Sequence, residues 1–182
     1  MEIQIPNPGR KRALIVVDFQ PRFINDKNEW VRPHIKAVIE NGKYDVVVES
    51  TFSAAPGSIW DKQVGSTAAH EASADGVREY FGPDTVRVRK STKSAFKGDV
   101  DLASLLKEQA IEEVHVVGLD THDCVLATAG EAFDLGFFAY VLEECTASSK
   151  GEALREPALA VLREVAMTNR STRIDSFATV HA

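Results

Sequence analysis

VHVVGLDTHDCVLATAGEAFDLG, residues Val114 to Gly136, decides the fold of this chain. Its first part, Val114 to Leu119, is an apolar run rich in β-branched residues, which predicts a buried parallel strand. The apolar residues then recur at helical spacing as far as Gly136, and Asp120 or Thr121 is the predicted N-cap. A strand followed directly by a helix is the repeating unit of an open α/β sheet.

Cys124 is the residue that this geometry presents. It lies in the predicted first turn of the helix, at the carboxyl end of the strand, where open α/β sheets bind their ligands. Helix amides at that position favour a thiolate, which would make Cys124 a nucleophile. Taken alone, a cysteine near a helix start is more often a small buried apolar residue, because free cysteine packs like an aliphatic side chain. The rest of the chain has to decide between these interpretations.

Length and composition indicate an ordinary globular domain. The chain has 182 residues, of which 44% are hydrophobic and 26% charged, and it shows no repeat or low-complexity tract. We predict a single domain over residues 1–182, with residues 1–12 as an irregular N-terminal arm because this stretch is polar and contains two prolines and a glycine. The net charge of −6 argues against a nucleic-acid partner, whose phosphates need a basic face.

The number and spacing of the cysteines indicate the cellular compartment in which the chain is expected to work. Cys124 and Cys145 are far apart in the sequence, and the chain shows neither a signal peptide nor an apolar run of membrane-spanning length. These features predict free thiols, a cytoplasmic location and no membrane partner. Cys145, which follows a predicted strand, is interpreted as a buried or inert thiol. A small molecule is the expected substrate.

Strands and helices alternate along the chain, which predicts a doubly wound, mostly parallel sheet with helices on both faces. A long loop over residues 52–76, rich in Ser, Ala and Gly, interrupts this alternation and is expected to be functional. The predicted strands are Ala13–Val17, Tyr44–Ser50, Thr85–Arg89, Val114–Leu119, Phe137–Leu142 and Ser171–Phe177. The other predicted helices are Pro33–Asn41, Ile59–Val64, Asp99–Gln109 and Ala153–Met167.

Three reactive side chains follow strands of this sheet: Asp18, Lys90 and Cys124. Because the carboxyl ends of parallel strands share one edge, we expect the three to converge. A cation and a helix N-terminus would stabilise a thiolate, and a neighbouring carboxylate could carry its proton. For Asp18 a role as N-cap of the following segment is equally compatible with its position.

Three segments resemble the signature segments of the isochorismatase-like cysteine hydrolases, in the order found in that family. They are IVVDFQPRF (15–23), KSTKSAF (90–96) and GLDTHDCVLATA (118–129). The resemblance implies a six-stranded doubly wound sheet and hydrolysis of amide or related carbonyl substrates through a thioester. In these terms Cys124 is the nucleophile, Asp18 the general base and acid, and Lys90 the cation that holds both. Lys93 occupies a position where the family more often has an aromatic residue.

The resemblance also implies an oxyanion hole and a homo-oligomer, either a dimer or a tetramer. A cis peptide between Leu119 and Asp120 would point the Asp120 amide toward the substrate oxygen, beside the Cys124 amide. We expect the helix start and Lys90 to favour the thiolate of Cys124. Candidate pocket residues are aromatic or polar side chains near these segments: Phe19, Phe23, Trp60, Phe96 and His122.

Metal ligands and cofactor motifs are missing from the sequence. Metal-dependent nicotinamidases of the family carry an Asp and two His after the second strand, whereas this chain has STFSAAPGSIW there, with no His until His70. We therefore predict an enzyme without metal or cofactor that cleaves a small amide, carbamoyl or ureido compound rather than nicotinamide. The alternative is a catalytically silent binding or assembly protein that keeps the fold.

Overall fold

A five-stranded parallel sheet forms the centre of the computed structural model, which describes residues 1–174 and 176–182. The strand order is β4-β3-β2-β5-β6. In chain order the strands are β1 (Glu2–Pro6), β2 (Arg12–Val17), β3 (Val46–Phe52), β4 (Val86–Lys90), β5 (Glu113–Leu119), β6 (Phe138–Ala147) and β7 (Phe177–His181). The helices are α1 (Arg32–Asn41), α2 (Ile59–Val64), α3 (Leu102–Glu108), α4 (Leu126–Asp134) and α5 (Glu152–Glu164).

Both faces of the sheet are buried, which explains why its central strands read as continuous apolar runs. Along β2, Ile15 packs on one face with Leu106 of α3 and Leu159 of α5. Its neighbour Leu14 packs on the other face with Ile35 of α1. The sequence-based prediction of a parallel sheet between two helical layers is confirmed.

The predicted sixth strand and the predicted irregular arm are both wrong. Residues 2–6 form β1, which pairs antiparallel with β7 in a separate two-stranded sheet. Within the predicted strand 171–177, Asp175 lies outside the described residues, and only Phe177 belongs to a strand. Ile3, Ile5 and Val180 are buried against the α1 face, so the alternating apolar residues of the two termini favour this pairing.

Other element ends move by several residues. Strand β3 continues to Phe52 and β6 to Ala147, beyond their predicted ends at residues 50 and 142. The helix expected after β5 begins with a π-helical turn, Thr121–Val125, before α4. Pro157 lies in the interior of α5, where its ring nitrogen cannot donate a helix hydrogen bond. Among the described residues, no helix has the length and apolar character needed to cross a bilayer.

Close contact between β2 and β5 brings the reactive strand ends together. Val17, the last residue of β2, is paired with Ser50 on one side and Gly118 on the other. A Cβ atom at Gly118 would lie 2.2 Å from the Val17 carbonyl oxygen, and Gly118 has a φ of +108°. Only glycine fits this close approach at a positive φ.

Candidate active site

Asp18 and Lys90 form a buried ion pair at the carboxyl edge of the sheet. Asp18 directly follows β2, and Lys90 is the last residue of β4, two strands away. Lys90 Nζ lies 2.7 Å from Asp18 Oδ2, and the two side chains are 0% and 1% exposed. Lys90 Nζ also donates to the carbonyl oxygen of Thr92, at 2.9 Å. The expected convergence of these strand ends therefore occurs.

The backbone of Asp18 is in the left-handed region, with a φ of +49°. Non-glycine residues are uncommon there, although aspartate tolerates it better than most. The Asp18 N–H donates to the carbonyl oxygen of Ser50 at 2.9 Å, so the chain continues the strand pairing for one residue before it turns. Asp18 is thus fixed at the strand end by the sheet and does not cap a helix.

Burial raises the pKa of the Asp18 carboxyl above its ordinary value, and this effect outweighs the opposing influence of Lys90. Hydrogen bonds from Lys90, the Cys124 thiol and Ser50 also lower the pKa, but they do not restore the ordinary value. A carboxyl group with a raised pKa can both accept and return a proton near neutral pH, which suits a general base.

Cys124 lies in the π-helical turn after β5 and is 7% exposed. Burial raises the pKa of its thiol far above the ordinary value, and the negative charge of Asp18 adds to this effect. Lys90 lowers the pKa, but not enough to compensate. The expectation that the helix start and Lys90 would favour a thiolate is therefore wrong for the resting site, because burial and Asp18 dominate.

Asp18 and Cys124 line a small cavity of about 20 Å³. It has room for roughly one water molecule. Aromatic side chains form much of its wall, and reactive groups form the rest. The lining residues are Asp18, Phe23, Phe52, Trp60, Leu119, Asp120, Asp123 and Cys124.

The turn between β5 and Cys124 leaves the backbone N–H of Asp120 without an acceptor among the described residues. The peptide bond between Leu119 and Asp120 is cis. The Asp120 side chain does not cap the following turn; its carboxylate accepts from the backbone N–H and the hydroxyl of Ser149, at 2.7 and 2.6 Å. The Asp120 amide, on the cavity wall, is therefore free to bind a substrate oxygen.

Comparison with known proteins gives a match that includes all three segments quoted in the sequence analysis. The family model of the isochorismatase domain matches residues 12–174, which include Asp18, Lys90 and Cys124. The chain belongs to the isochorismatase family.

Relatives of this isochorismatase-family chain include curated proteins and solved structures. The uncharacterized isochorismatase family protein PncA of Bacillus subtilis is 27% identical over 166 residues, which cover 78% of this chain and 89% of the relative. The nicotinamidase from Staphylococcus aureus is 27% identical with a TM-score of 0.68, covering 86% of this chain and 96% of its own. The N-carbamoylsarcosine amidase from Thermoplasma acidophilum shares the fold at 22% identity, with a TM-score of 0.71 and coverage of 91% and 99%.

Only two of the five predicted pocket residues line the cavity, namely Phe23 and Trp60. Phe19 is fully buried with the apolar cluster on the α1 face, because the turn at Asp18 directs the next side chain into the core. Phe96 lies in the opposite core, stacked on Phe137 with ring centroids 6.0 Å apart. His122 does not line the cavity, since its Nδ1 pairs with the hydroxyl of Ser148 at 3.0 Å.

Three wall residues of this isochorismatase-family site were missed from the sequence. Phe52 is the last residue of β3, whose end was predicted two residues too early, so the strand-end argument did not reach it. The end of β5 at Leu119 was predicted correctly, but Leu119 was not named as a pocket residue. No sequence signal places Asp123 at the cavity.

Metal ligands are not assembled in this family member. Among the residues that the structure describes, no three His, Cys, Asp or Glu side chains lie close enough together to hold a metal ion. His70 instead has its Nε2 3.4 Å from the Thr51 hydroxyl. Because the donor set does not fit a metal, no step of the chemistry is assigned to one.

Proposed function

We propose that this protein is a cysteine hydrolase that cleaves a small amide, carbamoyl or ureido C–N bond through a thioester on Cys124. The observation that carries the proposal is the juxtaposition of a buried thiol and a buried carboxylate on the wall of one cavity, with a buried ammonium paired to that carboxylate. Family membership and the similarity to a nicotinamidase support hydrolase chemistry. The proposed substrate class is broader than the compounds after which those relatives are named.

Acylation begins with transfer of the thiol proton from Cys124 to Asp18. The thiolate attacks the carbonyl carbon, a C–S bond forms, and the carbonyl oxygen takes up negative charge. We assign the amides of Asp120 and Cys124 as the donors to this oxygen, since both residues line the cavity. When the C–N bond breaks, Asp18 returns its proton to the leaving nitrogen, which departs as ammonia or an amine.

Deacylation reverses these roles. Asp18 removes a proton from a water molecule, and the resulting hydroxide attacks the thioester carbon. The C–S bond then breaks, the sulfur recovers the proton from Asp18, and the acid product leaves. Lys90 stays paired with Asp18 throughout and stabilises the carboxylate between proton transfers.

The high pKa of the resting thiol is compatible with this sequence of steps. Each transfer passes a proton between Asp18 and a partner within the site, so no permanently ionised thiolate is required. A substrate carbonyl held by the oxyanion donors would draw the thiol proton onto Asp18 during attack. The proposal includes independence of metal ions and assembly as a homo-oligomer.

Ammonia release from a panel of small amides, carbamoyl compounds and ureido compounds tests the proposal, with the intact mass of the protein measured during turnover. We expect an acyl adduct on Cys124 and loss of activity in Cys124→Ala by about 10³-fold or more. Cys145→Ala is the matched control and should stay active, because Cys145 is fully buried and outside the cavity lining.

Three outcomes would contradict the proposal. Activity that survives Cys124→Ala would exclude the thioester. Activity that disappears on chelation and returns with zinc would exclude metal independence. Binding of panel compounds without turnover would favour the silent binding protein.

A further inference from the structure

The cavity leaves little room beside Cys124, so a molecule larger than water reaches the thiol only if part of the wall moves. Its volume of about 20 Å³ holds roughly one water molecule. Asp18 is 1% exposed and Cys124 7% exposed. Most of the wall belongs to strand ends and to the π-helical turn, which are fixed by the sheet.

One wall residue, Trp60, belongs to a weakly attached segment. We call residues 55–67 the lid segment; its base is closed by two hydrogen bonds between Ala54 and Ala68, of 2.7 and 2.9 Å. It contains α2, in which no residue is buried. The glycines on either side of α2, Gly57 and Gly65, have positive φ and open space around the Cβ position. Such a segment can move without disrupting the core.

Trp60 packs over the cavity against the small apolar cluster of Phe52, Ala54 and Ala68, and it also contacts Lys93. Its ring packs edge-on against Phe52, with centroids 4.8 Å apart. On its other contact, Lys93 Nζ lies 5.2 Å from the centre of the Trp60 ring. The Trp60 Nε1–H donates within the segment, to the Ser66 hydroxyl at 3.1 Å, and so does not tie the lid segment to the rest of the protein.

Lys93 connects this ring to the turn that carries the nucleophile. Its ammonium pairs with the carboxylate of Asp123, the neighbour of Cys124 and itself a wall residue. One cation therefore contacts both sides of the cavity mouth. The Lys93 and Asp123 side chains are 54% and 25% exposed, so salt and solvent can reach the pair.

We propose that Lys93 controls access to the candidate active site by latching Trp60 of the lid segment to Asp123 across the cavity mouth. Breaking the latch frees the lid segment to swing about its base, which exposes Cys124 to a substrate. The latch controls only whether a molecule can reach Cys124. The inference requires Cys124 to be reached through this mouth, and it stands whether or not Cys124 then hydrolyses an amide.

Alkylation of Cys124 by iodoacetamide measures this access without any substrate. The reagent is larger than the closed cavity and carries no charge, so its rate reports how often the mouth opens. A Cys145→Ala background leaves Cys124 as the single thiol. We expect Lys93→Gln to accelerate alkylation about three- to thirty-fold, the combined effect of one exposed ion pair and one cation–π contact.

The sign of this change separates access from electrostatics. Loss of a positive charge near Cys124 would disfavour its thiolate and slow alkylation, so an acceleration has to come from opening. Sodium chloride should accelerate alkylation of the Lys93 protein by screening the pair with Asp123, and have little effect on Lys93→Gln. A purely structural role of Lys93 would not produce this salt dependence.

Two further variants complete the test. Lys97→Gln removes a comparable exposed ion pair, with Glu131 at 2.8 Å, that does not touch the cavity, and should leave the rate unchanged. In a Trp60→Ala background, which lacks the latched ring, Lys93→Gln should add no further acceleration. Equal rates in all of these proteins, including no reaction in any of them, would overturn the proposal, as would an equal acceleration by Lys97→Gln.

Discussion

Two clusters of polar side chains, each centred on buried ionisable residues, lie at opposite ends of the same sheet, and their hydrogen bonding differs. The reactive cluster, at the carboxyl edge, consists of Asp18, Lys90 and Cys124. The amino-end cluster, around the start of β5, consists of Asn7, Arg10, Tyr44, Glu113 and His115. Glu113 and His115 are as deeply buried as Asp18 and Lys90.

The amino-end cluster is a closed set of complementary partners. Glu113 Oε2 accepts from Asn7 at 2.7 Å and from Arg10 at 3.0 Å, while Oε1 accepts from His115 Nε2 at 2.7 Å. On the other side of the imidazole, the Tyr44 hydroxyl lies 2.9 Å from His115 Nδ1 and donates to it if the ring is neutral. Both carboxylate oxygens and both ring nitrogens are used.

The reactive cluster is open where the amino-end cluster is closed. The Cys124 thiol donates a hydrogen bond to the Asp18 carboxylate, and both groups line the cavity. The backbone amide of Asp120, which also lines the cavity, has no acceptor among the described residues. The comparison teaches that a buried charge does not by itself indicate catalysis, since satisfied networks also hold strands together. Unused hydrogen-bonding capacity next to a cavity distinguishes the reactive site.

Matched substitutions of the two buried carboxylates test this distinction most strongly. Asp18→Asn should lower kcat/KM by about 10²- to 10⁴-fold, because the amide cannot carry the proton between thiol and leaving group. Glu113→Gln makes the same chemical change in the amino-end cluster and should alter kcat/KM less than about threefold, since Glu113 touches no reacting group. Steady-state kinetics on a substrate from the amide panel provide the measurement.

Equal losses of activity in Asp18→Asn and Glu113→Gln, with both proteins folded, would contradict the distinction between a reactive and a structural carboxylate. Circular dichroism at the assay temperature checks the folding. Full activity of Asp18→Asn would remove the general base from the proposed mechanism.

For the free energy of unfolding we expect the opposite order: substitution in the amino-end cluster should cost more than substitution in the reactive cluster. Glu113→Ala leaves the donors of Asn7, Arg10 and His115 without their acceptor and should lower the free energy of unfolding by about 3–5 kcal/mol. Cys124→Ala removes one sulfur atom at a cavity wall and should cost about 1 kcal/mol. Urea unfolding with an unchanged slope measures both values. A larger loss in Cys124→Ala than in Glu113→Ala would reverse our assignment of structural and reactive roles.

The sequence was sufficient to predict the reactive cluster, because strand ends on one sheet edge are a topological consequence of parallel pairing. Asp18, Lys90 and Cys124 each follow or end an apolar run that could be recognised locally. The pairing of β1 with β7 could not be predicted in the same way. It joins residues near the two termini, and each strand has only a short alternating pattern.

Properties that depend on distances in the folded chain also could not be predicted from the sequence. The direction of the Cys124 pKa shift follows from burial and from the approach of Asp18, neither of which a pattern specifies. From the sequence, Lys93 was noted only as occupying a position where the family more often has an aromatic residue. Its contacts with Trp60 and Asp123 depend on how the loop over residues 52–76 folds back over the sheet edge.

The smallest expected effect is a pH dependence of stability that originates in the amino-end cluster. Burial lowers the pKa of His115 below its ordinary value of 6.5, and the bond to Glu113 opposes this shift only in part. The folded chain therefore holds His115 neutral at a pH where the unfolded chain protonates it. Its contribution to stability is present above about pH 6.5 and is lost as the pH falls toward the folded-state pKa.

Urea unfolding between pH 5 and pH 8 measures this contribution. Because one proton is involved, the slope cannot exceed about 1.4 kcal/mol per pH unit. His34 also has a lowered pKa and acts in the same direction, so the informative quantity is the difference between the unsubstituted protein and His115→Gln, which retains a donor for Glu113. The variant should lose less stability on acidification. Parallel pH profiles for the two proteins would mean that folding leaves the pKa of His115 unchanged. A loss of stability as the pH rises, seen in the unsubstituted protein and absent from the variant, would mean that the folded chain holds His115 protonated in an ion pair with Glu113.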